Sequence, residues 1–86
     1  MLDLLDEVDG RMTRAVIGWP AIKNYVWAQQ KHVKHALNHH EQVDMHEVLE
    51  QTRGWMISSM VNYPDLDEHF RPIVNKINDE LGHPRI

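Results

Sequence analysis

Seven of the 86 residues are histidine, and His32, His35 and His39 recur at spacings of three and four that stack imidazoles along one edge of a helix. A pair at i and i+4, such as His35 and His39, is the geometry by which a single helix chelates Zn, Ni or Cu. His40, Glu41 and His46 follow closely enough to add donors. A structural site normally takes four ligands, with carboxylates behind the rings to orient them, and residues 11 to 40 contain neither Asp nor Glu. Two readings stay open: a His-rich metal or haem binder using His32, His35 and His39, or a solvated, weakly basic edge with no cofactor.

The second chemistry is aromatic and cationic. At roughly 100° per residue, Lys23, Trp27, Lys31 and Lys34 share the side of one helix that faces away from its apolar stripe. An indole turned outward between ammonium groups suits three occupants: a pocket on an acidic protein, a nucleobase with its phosphates, or other parts of this chain. Arg11 and Arg14 extend the same basic zone. No helix-turn-helix, RRM or zinc-finger pattern supports the nucleic-acid version, and a sequence pI near 5.9 opposes it.

Catalytic signatures are missing. Ser58 and Ser59 have no glycine-framed elbow, His69 and Glu68 are helix neighbours that do not face each other, and no carboxylate pair or nucleophile with its base stands out. An enzyme is not expected.

Charge is segregated along the chain. Residues 1 to 10 hold four acids and no base, residues 11 to 40 five bases and no acid, and residues 41 to 86 nine acids against four bases. The central zone gains further charge as pH falls toward 6, where imidazoles protonate. No apolar run reaches the roughly 18 residues of a membrane span, and the first residues carry acids where a signal peptide carries bases. With no cysteine in the chain, a reducing, cytoplasmic setting is expected.

Those side chains have to be placed by helices. Met1, Leu5, Val8, Met12, Ala15 and Trp19 alternate at four and three, predicting a helix over 2–17, with Gly18 as a left-handed cap. Pro20 opens a second helix, read as one unbroken segment over 20–39, whose stripe is Ile22, Val26, Val33, Ala36 and Leu37. A capping box of Asp44 and Glu47 starts a third helix over 45–63. Its methionines, Met45, Met56 and Met60, read as core, while Ile57 and Val61 fall off the stripe. That leftover apolar surface predicts self-association, a dimer first of all. Asp65 and Glu68 repeat the capping signature ahead of a fourth helix over 66–81, kinked at Pro72 and closed by Gly82.

The expected architecture is a single all-α domain, a small four-helix bundle, with no strand, internal repeat or low-complexity tract. The function expected for it is that of a small non-enzymatic interaction protein, of adaptor or inhibitor type, that self-associates and presents Lys23, Trp27, Lys31, Lys34, Arg11 and Arg14 to an acidic protein surface. The alternatives are the metal or haem binder and a binder of nucleic acid or anionic nucleotides.

Overall fold

The computed structural model describes every residue from Met1 to Ile86 as four helices: α1 over Leu2–Gly18, α2 over Lys23–Asn38, α3 over Met45–Asn62 and α4 over Asp67–Leu81. The helical bundle is thus as expected. α1 packs along both α2 and α4, and α3 along α4, while α2 and α3 meet over a shorter stretch.

The two proline corners differ from the sequence reading. Pro20–Ile22 and Pro64–Leu66 are 3₁₀ turns, so the segment 20–39 is a tight turn followed by an α-helix and not one unbroken helix. The cause is local. A residue before proline is pushed out of the α region, and Trp19 (φ −145°, ψ 77°) and Tyr63 (φ −133°, ψ 82°) both take that escape. The chain re-enters the helix through an i→i+3 bond in each case, Ile22 N donating to Trp19 O at 3.2 Å and Leu66 N to Tyr63 O at 2.9 Å. Gly18 therefore remains helical, and Gly82 alone has positive φ, 78°. Of the two expected caps, Asp44 accepts from the amides of His46 and Glu47, but Glu47 turns away to accept from Gln51. Asp65 caps nothing, because the second corner places Leu66 at the start of α4. Pro72 lies on the exposed side of α4, which continues through it.

The two corners are one device used twice, and so is the whole chain. Shifted by 44 residues, α1, corner and α2 fall on α3, corner and α4 with ends matching to within one residue. Seven residues are then identical: Met1 with Met45, Leu5 with Leu49, Gly10 with Gly54, Met12 with Met56, Pro20 with Pro64, Leu37 with Leu81 and His39 with His83. The correspondence is stronger inside. Leu5/Leu49, Val8/Thr52, Met12/Met56, Ala15/Ser59, Ile22/Leu66, Val26/Phe70, Gln30/Val74 and Val33/Ile77 are buried at both members, leaving only Ala36, Met60, Ile73 and Asn78 of the 20 buried residues unmatched. The expectation of no internal repeat is corrected: the surfaces have diverged, which conceals the repeat in a linear reading, while the buried periodicity retains it.

Rings pack at the corner end. Trp19 meets Tyr63 edge-on at 5.8 Å, Tyr63 meets Tyr25 at 5.1 Å, Tyr25 stacks on Trp55 at 5.3 Å, and Trp55 meets Phe70 at 5.7 Å. The Tyr25 hydroxyl pairs with Ser59 Oγ at 2.8 Å, and Ser59 Oγ also bonds Trp55 O at 2.7 Å. Edge and offset contacts of this kind add to the burial of large apolar area, and no buried side-chain polar atom is left without a partner.

Candidate functional site

Five of the six aromatic rings belong to that cluster. Trp27 is the sixth. It is 51% exposed on the outward side of α2, as the helical phase predicts, and its near cationic neighbour is Lys23, whose Nζ lies 5.5 Å from the ring centroid. Trp27, Ala28, Gln30, Lys31 and Lys34 line an open groove of about 460 Å³.

The repeat shows that the fold does not require an indole there. The equivalents of Lys23 and Trp27 are Asp67 and Arg71, the same i, i+4 pair one turn into α4. There the bond is an ordinary surface ion pair, Arg71 Nη2 to Asp67 Oδ2 at 2.7 Å, and the Arg71 guanidinium holds the Asp67 carboxyl below its usual range. The same backbone position is thus filled by a solvated guanidinium in one hairpin and by a half-exposed tryptophan in the other.

Behind the groove, α2 is locked to α1. Gln30 is buried, and its amide nitrogen donates to Asp9 O, Asp9 Oδ1 and Thr13 Oγ1 at 3.2, 2.9 and 2.8 Å. Lys34 Nζ reaches Asp9 Oδ2 at 3.3 Å, so this lysine is partly neutralised, whereas Lys31 is in no ion pair. A counterpart of the lock sits in the second hairpin, where Arg53 and Asn78, at the positions of Asp9 and Lys34, bond each other.

The structure divides the predicted binding set. Arg11 and Arg14 lie on the opposite flank of α1 from Asp9 and Thr13. They line a groove of about 220 Å³ with Glu7, Gly10 and Lys76 of α4, in which Lys76 Nζ pairs with Glu7 at 3.0 Å. The four α2 residues form one face, and the two arginines belong to another.

The histidine edge is also divided. His35 and His39 approach with ring centroids 4.6 Å apart, while His32 turns into the groove between α2 and α3 beside Gln29, Val48, Gln51 and Thr52. Nowhere do three His, Asp or Glu side chains converge closely enough to hold a metal ion. Ile57 is half-buried against the core, and Val61 is 76% exposed. Its repeat partner Ile17 is 72% exposed. No helix is long and apolar enough to cross a membrane.

Comparison with known proteins returns no match among family models, curated sequences or solved structures.

Proposed function

We propose that this chain is a small non-enzymatic interaction protein, of adaptor or inhibitor type, whose contact face is Lys23, Trp27, Lys31 and Lys34 on α2 and whose partner is an acidic protein surface. One observation carries the reading. Trp27 is left out of the aromatic cluster and half exposed, at a position where the second hairpin is satisfied by Arg71. Large aromatic side chains flanked by cations are the side chains that dominate binding energy when a partner seals them from water. Lys31, unpaired, is free to meet a carboxylate, and Lys34 can exchange Asp9 for one.

Self-association belongs to the same proposal, through the exposed Val61 and the uncovered part of Ile57 one turn before it on α3. A small domain of this size buries a modest fraction of its surface, so covering an exposed aliphatic side chain on a second copy contributes to both assembly and stability.

The test is capture from the native cell with three baits: wild type, Trp27→Ala and Lys31→Glu. Acidic proteins retained by wild type and lost with both variants, at unchanged helical circular dichroism, support the face; an identical set of captured proteins on all three baits removes it. Trp27 and its lysines also fit a base with its phosphates, so a captured species that nuclease releases, and whose retention falls steeply with salt, moves the assignment to nucleic acid or nucleotide.

A further inference from the structure

We propose that the two hairpins are exchangeable units, and that the surface α1 buries against α4 is a docking surface that also accepts the matching hairpin of a second copy of this chain. The contact between the halves is two-fold in part, in the sense that residue i meets j and the counterpart of j lies near the counterpart of i, although α1 runs along α4 for longer than α2 along α3. Trp19 and Tyr63 are each other's repeat equivalents and touch each other at 5.8 Å, the contact a two-fold arrangement of hairpins makes on its axis. Glu7 and Lys76 pair across α1 and α4 at 3.0 Å, and their equivalents, Gln51 and His32, line one groove between α3 and α2.

Only the connector makes this a one-chain arrangement. Residues 39–44 are exposed except for Val43 and are held by local bonds, Gln42 N to His39 O and His40 Nδ1 with Leu37 O. The seam holds no cross-link, since the chain has no cysteine. A surface that closes between two halves in one chain closes equally between halves of two chains once the connector extends, which is the low-cost route to a dimer by exchange of an identical element. The occupant is therefore a second copy, and the exchange is independent of the Trp27 face.

The Glu7–Lys76 pair supplies the test. Glu7→Lys and Lys76→Glu each place like charges across the seam within their own chain. In an exchanged heterodimer of the two, both substituted side chains face each other across one seam with opposite charges, and the native Glu7 and Lys76 meet across the other. Both ion pairs are thereby restored. The two full-length variants, one isotope-labelled, are unfolded together and refolded at high protein concentration, and the dimers are separated and weighed. Exchange predicts a heterodimer enriched about fivefold over random pairing, the scale expected for two exposed ion pairs, and a monomer–dimer distribution of wild type for the chain carrying both substitutions. Random pairing, or monomers alone at every concentration, overturns the proposal. Random pairing in a dimer that forms on mixing folded chains and dissolves on Val61→Glu likewise overturns exchange, and supports self-association through α3 instead.

Discussion

At the scale of single residues, position in the helical period decides which side chains are available. Trp27 was legible from sequence, because an indole on the polar side of a helix has nowhere to go but outward. Trp27→Ala accordingly changes folding stability by no more than about 0.5 kcal/mol, the range of surface substitutions away from the core, measured by urea denaturation. A loss of about 2 kcal/mol or more, the scale of core truncations, would mean the ring is part of the core. Buried polar residues were not legible. Gln30 and Asn78 carry no sign of burial in their sequence context, yet they are 4% and 0% exposed, because their partners Asp9, Thr13 and Arg53 come from another helix. Asn78→Ala leaves the Arg53 guanidinium without its acceptor in a half-buried setting, with an expected cost of about 1–3 kcal/mol. A midpoint shift with unchanged m-value is the confirming measurement.

At the scale of elements, helix existence followed from the spacing of apolar residues, and helix ends did so where a residue acts on its own backbone, as Asp44 does at the start of α3 and Gly82 at the end of α4. Asp44 caps α3 as its sequence context says. After the proline corners, α2 begins three residues later than expected, at Lys23, and α4 one residue later, at Asp67, since a cap motif such as Asp65 with Glu68 has no force once the preceding proline has fixed a 3₁₀ turn. Glycines separate the local from the tertiary most cleanly. Gly10 and Gly54 sit mid-helix at equivalent positions, exposed, and a Cβ added at either meets nothing within 4 Å. Glycine there carries only its entropic cost, so Gly10→Ala and Gly54→Ala each raise stability by about 0.5–1 kcal/mol. Gly82 is also surrounded by open space, but its φ of 78° closes α4 in the left-handed region. Gly82→Ala is expected to lower stability by about 1 kcal/mol. Opposite signs at sterically equal sites would show that backbone conformation, not crowding, sets these positions, and thermal melts of the three variants decide it.

At the scale of the whole molecule, the repeat was hidden because the two hairpins share their buried periodicity and little of their surface. The difference in how they end has a measurable consequence. His39–Gln42 forms the first part of the connector, whereas its counterpart His83–Ile86 is strapped back on the second hairpin. His83 Nε2 bonds Glu50 Oε1 at 2.6 Å, Arg85 pairs with Asp79, and Ile86 N donates to Asn75 Oδ1 at 2.8 Å. The hydrogen bond to His83 lowers the Glu50 carboxyl below its ordinary value, and the hydrogen bond from Arg85 does the same for Asp79.

A carboxyl lowered on folding contributes stability above its unfolded-state value and loses that contribution as pH falls through the folded one. For Glu50 and Asp79 the loss therefore falls below about pH 4, the ordinary carboxylate range. Both carboxylates hold the last four residues, so the tail is expected to come free in acid before the helices melt. The protection of the Ile86 amide, its exchange rate by NMR relative to the intrinsic rate at the same pH, should fall on going from about pH 5 to about pH 3, either side of that range, with the α1 and α3 core amides still protected. Glu50→Gln is the control. It lacks the charged acceptor at every pH, so its melting temperature lies below wild type near pH 6, and the two curves converge in strong acid. Parallel curves from neutral pH into strong acid would mean that Glu50 and His83 are neighbours without a stabilising bond, and that the second hairpin is closed by the Gly82 cap and the apolar seam alone.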